Sequence, residues 1–247
     1  MKSMFINHNS ISLGRRLFRD KIVYGAIIAL SVIAVMPLFL ILFQLIVKGL
    51  PQMSLDFFIQ SSPSTMDAML ATQSGESIPG GIANGIVGTL MMVLMASVPA
   101  IVFGVMCGIY LSEKRQSHFA GVVRFLADLL QGTPSIVIGI ITYMAVVVPL
   151  RGYSALAGSA ALFVMMLPLI VRSTEETLNM LPNSLKESGL ALGGSYSMTI
   201  LRIMLPSAFG GISQGILLSI SRIMGETAPL MLTALGSTTI QWNVMRP

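Results

Sequence analysis

Residues 22–47 form an apolar run without a single charged side chain. About 20 apolar residues in a helix are enough to cross the roughly 30 Å hydrocarbon core of a bilayer. A cleaved signal peptide has a much shorter apolar core and a small-residue cleavage site. The run therefore predicts an uncleaved membrane-spanning helix, which constrains the rest of the chain to fold in or beside a membrane.

The composition of the whole chain agrees with this prediction. The sequence is 54% hydrophobic and 10% charged, with a mean hydropathy of +0.82, whereas a soluble domain carries about 25% charged residues. We therefore predict an all-α polytopic membrane protein and exclude an ordinary soluble globule. Five transmembrane helices are expected, at residues 22–47 and at about 82–111, 125–150, 155–171 and 207–235.

The segments between the expected spans differ in charge. With the N-terminus in the cytoplasm, eleven basic residues fall in inner segments and three in outer segments, as the positive-inside rule requires. The inner set is Lys2, Arg15, Arg16, Arg19, Lys21, Lys114, Arg115, Arg124, Arg172, Lys186 and Arg202, and the outer set is Lys48, Arg151 and Arg246. The predicted organisation is a cytoplasmic tail 1–21, a span 22–47, a periplasmic loop 48–81, a core 82–235 with a cytoplasmic loop 173–206, and a periplasmic tail 236–247.

The cytoplasmic loop carries small and apolar residues at fixed spacing. An acidic and two small residues are followed after three positions by a glycine, and nine positions later by an isoleucine and then a Leu-Pro pair. These residues are Glu187, Ser188, Gly189, Gly193, Ile203, Leu205 and Pro206. An ordinary inter-helix loop is the alternative interpretation. The spacing resembles E-A-A-x3-G-x9-I-x-L-P, the coupling loop of ABC-transporter permeases, with Ser188 and Gly189 in place of the two alanines. The resemblance implies short helices that sit in a cleft of an ATPase subunit.

A charged pair lies inside the last expected span. Arg222 and Glu226 are four residues apart and would share one helical face. Charges at membrane depth are costly unless they are paired or face water, so they usually mark a transport path. A guanidinium suits phosphate or carboxylate oxygens, which predicts an anion path, although a buried ion pair that fixes helix packing remains an alternative. Glu226 would accept a hydrogen bond from an oxyanion that retains a proton at neutral pH, as phosphate does and sulfate does not.

The third expected span is interrupted by Gly132-Thr133-Pro134-Ser135. Pro134 removes a backbone donor and clashes with the preceding turn, so the helix should kink or break there. Freed carbonyls and the hydroxyls of Thr133 and Ser135 would then be available to a substrate path, although a packing kink explains the pattern equally well. Nearer the cytoplasm, the four-residue spacing of Arg124 and Asp128 predicts an interfacial ion pair.

Three stretches together, at 132–139, 187–206 and 222–230, resemble the phosphate-specific permeases of ABC importers, the PstA type. The resemblance covers about residues 80–235 and implies the type I ABC importer permease fold. It also implies a sister permease as heterodimer partner, a cytoplasmic ATPase dimer, a periplasmic phosphate-binding protein and a place in the bacterial inner membrane. This family usually has one more span, so we expect the last helix to be missing and the tail 236–247 to be truncated.

Enzymatic chemistry is not expected from this chain. No Walker motif occurs, so ATP would be bound by the partner ATPase, and we expect no cofactor, no catalytic residue, no metal site and no nucleic-acid partner for the chain itself. Two other functions remain open: a permease for another oxyanion such as sulfate or molybdate, and a subunit of a secondary transporter or channel, which would often show inverted repeats. A structural subunit without a path of its own is a third alternative.

Overall fold

The computed structural model describes residues 13–75 and 80–246, in which all regular structure is helical. The chain divides into two units, residues 1–55 and residues 56–247, which are described separately below. The α-helices of the described residues are α1 (Leu13–Gly49), α2 (Leu55–Ile59), α3 (Thr65–Ser74), α4 (Ala83–Glu113), α5 (His118–Gly132), α6 (Ser135–Thr142), α7 (Val148–Leu150), α8 (Ala155–Met180), α9 (Asn183–Ala191), α10 (Tyr196–Thr199), α11 (Leu205–Met224) and α12 (Ala228–Thr233).

The first unit consists mainly of α1. Residues 1–12 of the predicted N-terminal tail lie outside the described residues, but α1 already begins at Leu13, ahead of the apolar run. Arginine and lysine are good helix formers and no proline separates them from the run, so the helix extends through them. The side chains from Leu17 to Lys48 are exposed, and a helix that is apolar on every face is typical of a membrane span.

Four helical stretches are long and apolar enough to cross a bilayer: Leu17–Gly49, Ala83–Glu113, Ala155–Met180 and Tyr196–Met224. A fifth is formed by His118–Gly132 with Ser135–Leu150, if the two halves are taken as one span bent by 108°. These four to five spans confirm the predicted all-α polytopic class. Within the second unit, α8 is the most buried of the spans, and α4, α5, α6, α11 and α12 pack around it.

Glycines on α4 bring it close to α8. A β-carbon added to Gly104 would stand 2.7 Å from Cγ2 of Ile170, and one added to Gly108 would stand 2.5 Å from Cβ of Thr174. Two small residues four positions apart are a common device for close helix packing in membranes. The second contact lies four residues further along α4 and also four residues further along α8, so the two helices run parallel.

Glycines on α11 repeat this arrangement on another side of α8. A β-carbon added to Gly211 or Gly215 would overlap the side chain of Thr177 or Ser173, respectively. Here the contacts run in opposite directions, so α11 is antiparallel to α8. We call the end of the bundle that holds the C-termini of α4 and α8 the α8 C-terminal end, and the other the α8 N-terminal end.

Two breaks interrupt the expected spans. The break predicted at Pro134 is present: α5 ends at Gly132 and α6 begins at Ser135. A second break was not expected, because the span assigned to 207–235 ends at Met224 and resumes only as the six-residue α12. Gly225 is a poor helix former, and Pro229 cannot donate to the Gly225 carbonyl and would clash with it.

A π-helical turn precedes two other prolines. Tyr143–Val147 leads into Pro149 at the start of α7, and Ile200–Met204 leads into Pro206 at the start of α11. At the second, the Leu205 N–H donates to the carbonyl of Ile200, five residues back. The wider turn accommodates the missing proline donor without ending the helix, so the helical course from Tyr196 to Met224 continues through Pro206.

The loop predicted to be cytoplasmic, at 173–206, is shorter and more helical than expected. The span assigned to 155–171 continues to Met180, because neither glycine nor proline occurs between Val171 and Pro182. Leu181, the residue before Pro182, is extended, at φ −71° and ψ 138°. Residues 181–195 therefore contain the connection between the long helices, with α9 inside it.

Uncharged groups hold the α8 N-terminal end together. The Asn84 side chain accepts from the Ser62 backbone at 3.0 Å and donates to the Ser237 carbonyl. The first N–H groups of α8, at Ala155 and Leu156, donate to the carbonyls of Arg246 and Val244 at 3.1 and 3.0 Å. These donors have no partner inside a helix, so residues of the tail close the helix start.

Candidate functional site

A glycine cap ends α9. The Gly194 N–H donates to the Gly189 carbonyl at 3.2 Å and the Gly193 N–H donates to the Leu190 carbonyl at 3.0 Å, the two bonds of a Schellman motif. Gly193 has φ +80°, a left-handed conformation that costs other L-residues roughly 1–2 kcal/mol. The glycine at this position of the predicted motif therefore has a physical reason, since it turns the chain from α9 into α10.

Gly189 is the buried contact of α9. A β-carbon there would lie 2.6 Å from Cγ2 of Thr199 and 2.8 Å from Cδ1 of Ile203. The β-branched Thr199 has little room to retreat, because it is buried. A small residue here lets α9 lie directly on the following segment, which fixes the orientation of its outer face.

That outer face is exposed and combines polar side chains with an apolar tip. Glu187 and Ser188 are exposed, Leu190 is half-exposed, and Leu192 at the tip is 86% exposed. Within the described residues Glu187 makes no ion pair, and the Ser188 hydroxyl donates only to the Ser184 carbonyl, at 2.6 Å. An exposed leucine at the tip of a short, rigidly capped helix suits insertion into a cleft of another protein.

The later motif residues lie on the inner side. Ile203 and Leu205 are half-buried and Pro206 is exposed. Leu205 packs against an apolar cluster that contains Leu178 of α8 and Met204. The motif thus divides into an exposed part on α9 and a part that anchors α9 to the long helices.

A polar cluster that the sequence analysis missed joins this segment to α4. Lys186 of α9 forms an ion pair with Glu113, and the Tyr196 hydroxyl also donates to Glu113. The Lys186 ammonium donates to the Tyr196 hydroxyl at 3.2 Å and stands 4.7 Å from the centre of its ring. In the sequence these residues are 10 and 73 positions from Lys186, and no local spacing indicates such contacts.

The predicted ion pair between Arg124 and Asp128 is wrong in its partners. Arg124 instead binds Glu175 at 2.6 Å, and Asp128 binds Arg172 at 3.0 Å. Arg172 also contacts Glu175 at 3.3 Å. The Glu175 side chain is only 5% exposed. A carboxylate that has lost its water needs cationic partners to stay charged, so Glu175 pairs with both Arg124 and Arg172, and Arg124 does not pair with Asp128.

Arg124 additionally caps α4. Its Nη2 group donates to the Leu111 carbonyl at 2.8 Å and its Nη1 group donates to the Arg115 carbonyl at 3.1 Å. A planar guanidinium with five donors can satisfy a carboxylate and helix-terminal carbonyls together. Arg124 thus connects α4, α5 and α8 at the α8 C-terminal end.

Arg222 and Glu226 lie at the unexpected break. Arg222 is in the last turn of α11, Glu226 follows the helix end, and their Nε and Oε1 atoms are 3.9 Å apart. The two do pair, but the expectation that they share one continuous helical face is wrong. Their side chains are 47% and 18% exposed, and within the described residues the Arg222 guanidinium donates no hydrogen bond.

Thr133 and Ser135 flank the other break. The Thr133 hydroxyl donates to the Leu129 carbonyl at 2.7 Å and thereby caps α5. Both side chains are half-buried. Within the described residues, no hydrogen bond joins either of them to Arg222 or Glu226, although the helices that follow the two breaks pack together.

Gly139 of α6 makes this packing possible. A β-carbon added to Gly139 would stand 2.8 Å from Cα of Pro229 in α12. Broken helices at membrane depth are tolerated where their free backbone groups are buried in protein or face a water-filled cavity, and transporters build binding sites from such segments. The structure therefore brings the two interrupted segments into one layer beside α8.

Comparisons with known proteins agree with this architecture. The model of the family described as "Binding-protein-dependent transport system inner membrane component" matches residues 100–246. The chain is also similar in fold to a solved chain of the MetNI methionine ABC transporter, with a TM-score of 0.56 and 20% identity over 63% of this chain and 75% of that one.

Sequence relatives are considerably more similar. The phosphate transport system permease protein PstA of Haemophilus influenzae is 37% identical over 94% of this chain and 79% of its own length. PstA of Pasteurella multocida is 39% identical over 84% of this chain and 70% of its own length. A probable PstA of Methanocaldococcus jannaschii is 33% identical over 94% and 76%. This chain therefore belongs to the family of binding-protein-dependent transport system inner membrane components and, within it, to the PstA-type ABC permeases.

Proposed function

We propose that this chain is a membrane-spanning permease subunit of an ATP-driven importer that moves inorganic phosphate across the bacterial inner membrane. The observation that supports phosphate as the cargo is the Arg222–Glu226 pair at the end of α11. The pair lies in an otherwise apolar segment, where charges usually mark a transport path, and at 3.9 Å it leaves the guanidinium donors free to bind an anion. Relatives that are named as phosphate permeases and cover most of the chain support the same cargo.

Each member of the pair has its own role in this proposal. Arg222 offers guanidinium donors to the phosphate oxygens. Glu226, placed 3.9 Å away, accepts a hydrogen bond from the proton that phosphate retains near neutral pH. A fully ionised anion such as sulfate has no proton to donate and is repelled by the carboxylate. Ser135 supplies a further hydroxyl to the path at the other break, and the Thr133 hydroxyl joins it by turning away from the Leu129 carbonyl to which it donates at 2.7 Å.

ATP hydrolysis belongs to a partner in this proposal. The exposed face of α9, with Glu187 in the middle of the helix and Leu192 at its tip, docks into a cleft of a cytoplasmic ATPase dimer, which binds the ATP. We expect no nucleotide site in the chain itself, because its sequence has no Walker motif. A sister permease completes the path as a heterodimer, and a periplasmic phosphate-binding protein delivers the cargo.

The proposed orientation places the N-terminus and α9 in the cytoplasm. The α8 C-terminal end is rich in basic residues: Lys114, Arg115, Arg124, Arg172 and Lys186. Short loops with an excess of lysine and arginine remain on the cytoplasmic side. α4 and α8 are parallel and α11 is antiparallel to them, so the C-termini of α4 and α8 lie at the same end as the N-terminus of α11. One orientation of the second unit therefore places this basic end of all three helices in the cytoplasm.

Uptake of labelled phosphate tests the cargo. The chain is supplied with its neighbouring subunits in cells that lack their own high-affinity phosphate importer, in the presence and absence of excess sulfate. We expect uptake that ignores sulfate, collapses in Arg222→Ala, and is partly retained in Arg222→Lys, which keeps the charge but loses the planar fork.

Arg151→Ala is the matched control, because it removes an exposed arginine at the end of α7. Equal competition by sulfate would instead favour a general oxyanion permease. Phosphate uptake that survives in Arg222→Ala would remove Arg222 from the path and favour a structural role for the pair.

A further inference from the structure

We infer that Glu113, Lys186 and Tyr196 form a clamp that positions α9 on the end of α4 and thereby sets how much cargo is moved per ATP hydrolysed. The inference rests on the proposed function, since it names positioning residues for that transport cycle. None of the three touches the cargo or belongs to the predicted motif. They act through α9, which is the element proposed to meet the ATPase.

The clamp connects segments that otherwise stand apart. A cavity of about 460 Å³ lies between the ends of α4 and α8 and the start of α9. Its lining includes Ser112, Leu178, Asn179, Asn183 and Lys186. α9 packs on α10 and on the π-helical turn that follow it in the chain. Across the open space, the polar contact of α9 with α4 is the ion pair between Lys186 and Glu113.

Burial distinguishes this pair from an ordinary surface ion pair. The side chains of Glu113 and Lys186 are 10% and 28% exposed, whereas Asp128 in the neighbouring pair with Arg172 is 53% exposed. Exposed pairs contribute little, but removing one partner of a part-buried pair leaves a charge uncompensated. Tyr196 strengthens the pair by donating to Glu113 and placing its ring beside the ammonium.

The α4 end is tied in turn to the rest of the bundle. Leu111 and Arg115, which flank Glu113 by two residues on either side, offer their carbonyls to Arg124. Arg124 also binds Glu175 in α8. A displacement of α9 is therefore passed through Lys186 and Glu113 to the α4 end, and from there through Arg124 to α5 and α8.

The test measures phosphate uptake and ATP hydrolysis in parallel, with the complete complex reconstituted in proteoliposomes. Single variants Lys186→Met and Glu113→Gln are compared with the exchange variant Glu113→Lys/Lys186→Glu. Lys186→Arg is the conservative variant. Lys114→Met is the matched control, because Lys114 is an exposed lysine next to Glu113 that makes no ion pair within the described residues.

We expect the single variants to lower phosphate uptake per ATP by about threefold to tenfold, which lies within the range of effects of mutations that alter the coupling between two sites. The exchange and Lys186→Arg variants should recover most of this ratio, and Lys114→Met should leave it unchanged. A merely structural pair would lower uptake and ATP hydrolysis together, at a constant ratio. That result, or an exchange variant that assembles without recovering the ratio, would overturn the clamp. A wild-type complex that hydrolyses ATP without phosphate uptake would overturn the proposed function instead.

Discussion

The two ends of the second unit are held together by different chemistry. At the α8 C-terminal end, charged side chains connect the helices, with Glu175 between Arg124 and Arg172 and Lys186 on Glu113. At the α8 N-terminal end, an asparagine side chain and backbone groups make the connections. A charge-assisted hydrogen bond is about twice as strong as a neutral one, but its loss leaves a charge that must be rehydrated or neutralised.

The difference in chemistry suits different mechanical roles of the two ends. Basic residues at the α8 C-terminal end satisfy the positive-inside rule, and the same side chains serve as structural ties. The end that the proposed function exposes to ATP-driven motion is therefore held by long side chains that can follow a moving partner. The opposite end is fixed by short, directional contacts of the backbone, which suit a part of the molecule that keeps its shape.

Arg124→Met should produce the largest loss of stability, because it removes a tie at the charged end. Glu175 would lose its 2.6 Å partner while its side chain is almost fully buried. We expect a loss of about 3 kcal/mol in the free energy of unfolding, measured by SDS denaturation in mixed micelles. Arg124→Lys, which keeps the charge but not the bonds to the α4 carbonyls, should lose less. A neutral effect of Arg124→Met would show that Arg172 alone satisfies Glu175.

Gly211→Ala should rank second. The added methyl would overlap Thr177 near the α8 C-terminal end, and overpacking costs about 1–3 kcal/mol. Gly210→Ala is the matched control on the same helix, because nothing lies within 4 Å of its added β-carbon. Toward the other end, a β-carbon at Gly158 would stand 2.8 Å from the flexible Met92 sulfur and 3.0 Å from the Ala234 β-carbon, farther than the 2.4 Å at Gly211, so Gly158→Ala should cost less. Equal losses in all three variants would remove the close α11–α8 contact as the cause.

Asn84→Ala should cost about 1–2 kcal/mol, because it leaves the Ser62 N–H and the Ser237 carbonyl without their side-chain partner. The contacts at this end are uncharged, so the loss should be the same at low and high salt. The loss from Arg124→Met should become slightly smaller at high salt, because salt screens the partly exposed Arg124 guanidinium and so weakens its pair with Glu175 in the unsubstituted chain. Denaturation curves of both variants at two ionic strengths check this contrast.

Much of the fold was predictable from the sequence because it depends on local chemistry. Apolar runs of helical length indicated the spans, and Pro134 indicated a break that the structure confirms. The second break was missed because Gly225 and Pro229 lie in an apolar segment of sufficient length. The extension of α8 beyond residue 171 does not follow from hydropathy, because the residues after Val171 are polar although the helix continues to Met180. Arg172 and Glu175 remain helical there because partners on α5 compensate their charges.

The candidate site was predictable in part for the same reason. The spacing from Glu187 to Pro206 is a local pattern, and the structure gives Gly189 and Gly193 separate physical roles. Glu113, Lys186 and Tyr196 come together only through tertiary packing, so no spacing rule could reveal them. Arg124 and Asp128 show the opposite error, in which a correct helical spacing was overridden by a buried carboxylate on another helix.

Gly193→Ala should produce the smallest loss of stability. Its comparison with Gly80→Ala contrasts the two ends of the second unit directly. Gly193 and Gly80 both have positive φ, +80° and +105°. Nothing lies within 4 Å of a β-carbon at Gly193, whereas one at Gly80 would stand 2.8 Å from the Ser61 carbonyl oxygen. Backbone strain alone predicts about 1 kcal/mol for Gly193→Ala, and Gly80→Ala should lose more because a clash is added.

Gly193→Asn is the control for this last prediction, since asparagine tolerates the left-handed conformation and should recover part of the loss. A bulky residue at Gly193 should destabilise the isolated chain no more than alanine does, because the space around it is open. In the reconstituted complex, we expect the bulky variant to lower phosphate uptake per ATP. If alanine and leucine lower that ratio equally, the Schellman cap of α9 is the cause. If the loss grows with side-chain size, the open space beside Gly193 is where the ATPase comes into contact.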